Sequence, residues 1–266
     1  MREPWLRTVE DMTTSKVPLS VIVITRNEEQ NIVACLASVQ WADEIVVVDS
    51  QSDDRTVDLA KTFTERIFVR EWCGFGEAKN FALSKTSHDW VLWLDADERV
   101  PGELTKEIES TLASNSTEFH GYEIARRAFF IGKWIRHCGW YPGYVVRLFK
   151  REGARFNDAR VHEKVEFAGK IGRLENDLFH YTDESLYHYF SKFNNYTTLA
   201  AEDLAAKRKQ LKKYDLLLRP PYVFFKMYIL KLGFLDGMHG FVLSLLSASY
   251  VFTKYAKSWD VERRSR

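Results

Sequence analysis

The sequence has little cysteine, little proline and almost no net charge, and each shortage removes a class of protein. Its 3 cysteines, Cys35, Cys73 and Cys138, are scattered and form no C-x-x-C pair. A disulfide scaffold is therefore excluded and a reducing compartment is expected. With 6 prolines and 13 glycines in 266 residues and no internal repeat, collagen-like and low-complexity classes fall away too. Lys and Arg number 38 against 37 Asp and Glu, a formal +1, which argues against a general polyanion binder, nucleic acid included. No G-x-x-x-x-G-K-[ST] occurs, and no G-x-G-x-x-G follows the first apolar run. A backbone cradle for phosphate is thus not expected. The first residues include acids and no apolar segment, so no signal peptide is expected. The longest charge-free apolar stretch, Gly237 to Thr253, contains His239 and three serines and falls short of the ~20 apolar residues of a bilayer span. These absences predict a cytoplasmic protein able to touch a membrane.

Hydrophobic residues make up 45% and charged residues 28%, the composition of a globular chain. Residues 1–17 are polar and read as a loose arm. Leu19 to Ile24, Glu44 to Asp49, Ile67 to Val69 and Trp90 to Asp95 are short β-branched or aromatic runs that read as buried strands. Between them, residues 31–40 (capped by the preceding acids), a segment through Lys61 and residues 78–84 have helical spacing. Strands alternating with helices predict βαβ units, a parallel sheet with both faces covered and an α/β fold. From Tyr122 to Phe167 the pattern changes to short extended pieces broken by Gly and Pro, a mixed-sheet continuation with long loops. After Leu186 the chain reads as helices. The expected division is an arm at 1–17, a catalytic unit at 18–185 and a helical appendage at 186–266.

In an open α/β sheet, ligands bind beyond the carboxyl ends of the strands. Three of these strands end in polar clusters: Thr25-Arg-Asn-Glu28, Asp49-Ser-Gln-Ser-Asp-Asp54 and Asp95-Ala-Asp97. One Asp after a strand often only caps a helix or starts a turn; three clusters in register predict one shared crevice. Without a phosphate loop, the other standard way to hold a diphosphate is a carboxylate pair carrying a hard divalent cation. Asp95-Ala-Asp97 supplies such a pair.

Taken in order, Pro18 to Glu28, Val48 to Thr56, Lys79-Asn80 and Leu94 to Asp97 resemble glycosyltransferase family 2, the inverting nucleotide-sugar transferases of GT-A fold. Arg147-Leu-Phe149, Val161-His-Glu163 and Phe234 to Phe241 resemble the subgroup of lipopolysaccharide core-biosynthesis β-glucosyltransferases. The resemblance implies a GT-A catalytic domain that binds a UDP-sugar with Mn2+ or Mg2+. It implies that Asp49 binds uracil, that Thr25, Asn27 and Glu28 line the uridine, that Lys79 contacts the nucleotide, that Asp95 lies near the ribose and that Asp97 ligates the metal. A carboxylate suits uracil because it accepts the imide N–H that cytosine lacks. An inverting transfer needs a base to take the acceptor hydroxyl's proton. Glu163 is expected in that role with Asp158 as the alternative, and His162 is a third metal ligand, a hydrogen-bond partner orienting Glu163, or a structural histidine. Trp140 and Tyr141, in a Gly-bracketed loop, suit stacking on a sugar, and Arg147 suits binding of phosphate or acceptor. The implied donor is UDP-glucose and the implied acceptor a lipid-linked saccharide, the inner-core heptose of lipopolysaccharide.

The tail adds an asymmetry to the neutral average. Between Lys207 and Lys231 stand eight basic residues and one acid, a local +7, so the rest of the chain, with 30 basic and 36 acidic residues, carries −6. Tyr222, Phe224, Phe225, Tyr228 and Phe234 follow among these bases. Together they read as an amphipathic helix lying on the inner face of the cytoplasmic membrane, attracted by anionic lipid. Packing on the catalytic unit, or on a second copy as a homo-oligomer, is the other reading. A dehalogenase-type phosphohydrolase also uses Asp-x-Asp after a strand, but requires Thr or Val where this chain has Arg99. A GT-A domain that binds nucleotide or glycan without turnover is opposed by the intact Asp49, Asp95 and Asp97.

Overall fold

The computed structural model describes residues 17–114, 118–157, 164–183, 185–206 and 213–264. In chain order they form β1 (Leu19–Thr25), α1 (Ile32–Ala37), β2 (Glu44–Asp49), α2 (Thr56–Ala60), β3 (Ile67–Val69), α3 (Phe75–Ser84), β4 (Trp90–Asp95), β5 (Glu98–Arg99) and α4 (Gly102–Ala113). The long strand β6 (Phe119–Phe130) follows, with β7 (Lys133–Trp134), β8 (Gly143–Lys150), β9 (Arg155–Phe156), β10 (Val165–Glu166), β11 (Lys170–Arg173) and β12 (Leu178–Asp183). The chain ends in α5 (Leu186–Ala206), α6 (Lys213–Leu217), α7 (Arg219–Phe225) and α8 (Gly237–Arg264).

The main sheet runs β3-β2-β1-β4-β8-β6-β12-β5. Its first four strands are parallel, and β8 enters antiparallel against both β4 and β6. The parallel strands read as unbroken apolar runs because both faces are covered. Alternate residues still sort cleanly by face. Val21, Val23, Val47, Leu92 and Leu94 pack with Ile32, Leu36, Leu104 and Ile108 of α1 and α4. Ile22, Ile24, Val46, Val48 and Trp93 pack with Ala78, Ala82 and Leu83 of α3. The expected α/β class and the mixed continuation both hold. Three details differ from the sequence expectation. Helix α1 has Asn31 at its N-cap with no side-chain cap bond to the helix; the preceding Glu28 accepts from the Asn31 side chain instead. Residues 139–142 form a turn rather than an extended piece. Strand β6 is twelve residues long, since neighbours on both sides hold it through Arg126 and Arg127.

The helical tail is tied to the sheet by the segment before Trp140. Asp236 is buried, and its carboxylate accepts the backbone N–H of Arg136 and of His137 and bonds the His137 ring. The Lys133 ammonium donates to the Asp236 carbonyl. A Cβ on Gly240 would lie 1.9 Å from the Gly233 carbonyl oxygen, so only glycine lets α8 start this close to the preceding turn. Among the described residues one helical stretch, Gly233–Arg264, is long and apolar enough to cross a membrane by length and composition. This revises the sequence estimate, which stopped at Thr253: the helix continues through Lys254 and Lys257. One side of it is nevertheless committed to protein, because α8 packs on α5 and α7.

Candidate active site

The register of the parallel strands builds the site. Thr25 pairs with Asp49 and Ile24 with Asp95, so the polar ends of β1, β2 and β4 lie side by side. Two loops are laced together above them. Asn27 N–H donates to Ser52 Oγ at 2.8 Å, Asp53 N–H to Asn27 Oδ1 at 3.0 Å, and Glu28 N–H to Thr56 Oγ1 at 2.8 Å. Asn27 and Gln51 hold φ of +54° and +56°, a left-handed turn that asparagine tolerates well. Asp49 is fully buried, and Ser52 donates from its N–H and its hydroxyl to the two carboxylate oxygens. Among the described residues Thr25 Oγ1 is buried with no hydrogen-bond partner. Burial raises the Glu28 carboxyl above its usual value, against a bond from Asn31.

Beside these loops lies a buried charge cluster. Arg147 of β8 is 0% exposed; one of its nitrogens donates to Asp95 Oδ2 at 2.8 Å and to Glu98 Oε1 at 2.5 Å. Glu98 also accepts the Asp95 N–H at 3.0 Å. Lys79, 2% exposed, brings its ammonium 3.5 Å from Asp95 Oδ1. Both cations sit on the Trp93 ring, at 3.4 Å for the guanidinium and 3.7 Å for the ammonium, a contact favoured by the ring quadrupole. Burial alone would raise Asp95, but Lys79 and Arg147 outweigh it and hold the carboxyl far below the usual range.

Asp97 faces the opposite bank of the crevice. His180 Nε2 of β12 lies 3.4 Å from Asp97 Oδ1, and Lys192 Nζ of α5 lies 4.0 Å from Oδ2. Burial would raise Asp97, and His180 more than offsets it, so the carboxyl is lowered; burial would lower His180, and Asp97 overcomes that and raises it. Asp183, at the end of the same strand, has a buried Oδ1 without a partner among the described residues. Burial, reinforced by the Asp97 charge, pushes its carboxyl up to about 6 despite Lys192. Between the ordinary carboxylate value and about 6 the folded chain holds a proton that the unfolded chain has released, so this group's contribution to stability falls as pH rises through that window. Asp183→Asn should therefore raise stability at neutral pH by ~1–2 kcal/mol, and at low pH change it little; urea melts at the two pH values measure the difference.

Together these residues line a crevice of about 1300 Å³. Thr25, Glu28, Asp95, Asp97, Trp140 and Arg147 of the expected set open onto it. Asn27, Asp49 and Lys79 do not line it: Asn27 is exposed, Asp49 is buried, and Lys79 is buried against Asp95. Tyr141 turns away to donate its hydroxyl to Asp177 at 3.2 Å. Glu163, Asp158 and His162 lie outside the described residues. Sequence reading missed Arg126, His180, Asp183 and Lys192. The one signal for His180 and Asp183 was a fourth strand end in Asp, obscured by the mixed composition of Leu178–Asp183. Helices α5 and α8 close the far side with Tyr189, Phe193, Tyr196 and Tyr250, an aromatic wall that suits a sugar ring.

Among the described residues no group of three His, Cys, Asp or Glu could hold a metal ion. Asp97 and His180 offer two donors, which fits an ion that completes its shell with substrate phosphates, as Mg2+ commonly does.

The chain also resembles known proteins in sequence. The sequence model of the family described as Glycosyl transferase family 2 matches residues 20–157. An uncharacterized glycosyltransferase of Rickettsia typhi is 33% identical over 259 residues, covering 93% of this chain and 89% of the relative. The lipopolysaccharide core biosynthesis glycosyltransferase LpsC of Rhizobium meliloti is 32% identical over 257 residues, covering 92% and 93%. Among solved structures, Mycobacterium tuberculosis glucosyl-3-phosphoglycerate synthase in complex with Mn2+, UDP and phosphoglyceric acid is similar over 42% of this chain and 44% of that one, with a TM-score of 0.37 and 27% identity. TarS of S. aureus is similar over 84% and 46%, with a TM-score of 0.45 and 17% identity.

Proposed function

Because the chain belongs to glycosyltransferase family 2, we propose that it is a metal-dependent inverting transferase that moves a sugar, glucose by preference, from a UDP-sugar to a lipid-linked saccharide of the lipopolysaccharide core type. The observation that carries this reading is the convergence of Thr25, Asp49, Asp95 and Asp97 at three aligned strand ends. Thr25 to Glu28 form the uridine wall, and uracil reaches Asp49 once the Ser52 hydroxyl yields its Oδ2. Asp97 and His180 would hold Mn2+ or Mg2+, which supplies charge neutralisation for the departing diphosphate. Arg147 and Lys79 fix Asp95 in its ionised form beside the ribose position. Trp140 and the α5–α8 aromatics orient the acceptor, whose hydroxyl loses its proton to a carboxylate.

That carboxylate is Glu163 in this reading. Asp183 provides the second reading, since it opens onto the crevice and its raised pKa suits proton transfer near neutral pH. Glu163→Gln should lower kcat by on the order of 10²–10⁴ with UDP affinity unchanged, and Asp183→Asn by less than tenfold. The reverse pattern in initial-rate kinetics transfers the role to Asp183.

A lipid-linked acceptor calls for a protein seated on the membrane, and the tail has a face for it. Met238, Phe241, Leu245, Phe252 and Trp259 of α8 are exposed at spacings that form one helical stripe. The stripe continues through Phe225, Ile229, Leu230, Leu232, Phe234 and Leu235. From Leu216 to Trp259 the single acid is Asp236, which is buried, while Arg219, Lys226 and Lys231 are exposed. A symmetric dimer through this face would set Lys226 and Lys231 against their own copies, Arg219 being already paired with Asp215; an anionic bilayer complements both features. The chain should float with vesicles of equimolar phosphatidylglycerol and phosphatidylcholine, and Leu235→Glu with Met238→Glu should abolish this. Failure to float, or a dimer in solution that the same pair of substitutions dissociates, would contradict it.

A further inference from the structure

Arg126 lines the crevice, and among the described residues it has no hydrogen-bond or ion-pair partner, though the charges of Glu98, Asp95 and Asp97 are near. It stands on β6 opposite Gly143 of β8 and Leu178 of β12, so it lies between the strand that carries Arg147 and the strand that carries His180. It opens onto the crevice, and its Nε is buried with no hydrogen-bond partner. Its neighbours are differently placed. Arg127, the next residue, pairs with Asp177 at 2.9 Å and lies over the Trp134 ring. Arg147 is ion-paired with Asp95 and Glu98 through one nitrogen, while among the described residues its buried Nε and Nη1 also lack a partner. Among the described residues nothing accepts a hydrogen bond from Arg126.

Arg126 is half-buried with its Nε buried and unbonded among the described residues; leaving such a polar atom unpaired is costly, and an anionic ligand would satisfy it. Burial and the nearby Arg147 charge lower the Arg126 pKa, against the opposing charges of Glu98, Asp95 and Asp97. The planar fork of a guanidinium matches phosphate and carboxylate oxygens. We propose that Arg126 is an anion receptor in the crevice, taking a phosphate or carboxylate group of a substrate. Resting on the transferase reading, the anion has two sources: the donor diphosphate, or an acidic substituent on the acceptor saccharide. Arg126 is then a binding residue between donor and acceptor, separate from Asp97.

The test uses the full chain, with Arg126→Met keeping the stem and Arg126→Lys keeping the charge. Melting of the ligand-free protein separates a structural role from a binding one. A purely structural arginine lowers the melting point when replaced, whereas an unpartnered one leaves it unchanged or raises it. With Mn2+ present, UDP, uridine and inorganic pyrophosphate are then titrated. Loss of ~10–100-fold in UDP and pyrophosphate affinity in Arg126→Met, with uridine unaffected and Arg126→Lys intermediate, assigns the receptor to the donor diphosphate. Unchanged UDP affinity with a KM for a phosphorylated or acidic acceptor raised by a similar factor assigns it to the acceptor. Arg126→Met with unaltered affinity for every probe and unaltered KM overturns the proposal, as does a lowered melting point without a binding effect. If the wild-type chain binds pyrophosphate but not UDP, the transferase reading fails while the receptor stands.

Discussion

Asp97→Asn is expected to lower kcat/KM by on the order of 10³, the scale of losing a metal-held charge at a departing diphosphate. The substitution keeps the size and one oxygen, and it removes the charge that pairs with His180 at 3.4 Å. The effect should separate into two parts. UDP affinity measured by calorimetry in Mn2+ should fall, while affinity measured in a chelator should match the wild type, because Thr25 to Glu28 and Asp49 lie on the other bank. Chelation of the wild-type enzyme should reproduce the variant's rate. A variant with full activity would remove Asp97 from the metal site and leave its ion pair with His180 as structure alone.

The second large effect is on stability. Arg147→Met should destabilise the fold by ~3–5 kcal/mol, the cost of leaving a buried charge without its partner. Glu98 is fully buried, and among the described residues its carboxylate accepts, besides Arg147, the Asp95 N–H at 3.0 Å. Asp95 would keep Lys79 at 3.5 Å but lose the closer contact at 2.8 Å. Methionine retains contact with the Trp93 ring, so the loss reports charge rather than packing. Adding Glu98→Gln to Arg147→Met should recover part of the loss, since the stranded carboxylate is then neutral. Denaturant unfolding of the two single variants and the double closes this cycle. Additive losses would mean that Arg147 is held by packing on Trp93 and that the ion pairs contribute nothing.

Much of this cluster was legible in the sequence, and the reason is physical. The runs at Leu19, Glu44 and Trp90 are buried on both faces, so they stand out as apolar stretches, and their polar ends mark the ligand edge. Asp49, Asp95 and Asp97 followed from that alone. The opposite bank was not legible. Strand β12 mixes Leu178 and Phe179 with His180 and Asp183, because it is only partly buried and pairs in parallel with a strand some fifty residues earlier. No periodicity shows such a pairing. Arg126 was hidden for a related reason. The Arg126-Arg127 pair interrupts the apolar pattern of β6, so the strand seemed to end at Ile124. In the tail, the stripe of Met238, Phe241 and Leu245 could be read from spacing. The inward turn of Ser247 and Tyr250 onto the crevice could not, because the side of α8 they share also looks weakly apolar. The motif Phe234 to Phe241 was noticed for its resemblance alone; its buried Asp236 and its tight Gly240 now give it a structural cause.

The most direct measurement is thermal melting of the full chain against nucleotide sugars, with Mn2+ present and with a chelator. A ligand that binds only the folded state stabilises it by ~2.7 kcal/mol at a hundredfold excess over Kd. A UDP-sugar, UDP-glucose first among them, should raise the melting point in Mn2+, and the chelator or Asp97→Asn should remove most of that shift. Equal shifts with and without metal, or none with any nucleotide sugar, would contradict a metal-dependent UDP-sugar site at the ends of β1, β2 and β4.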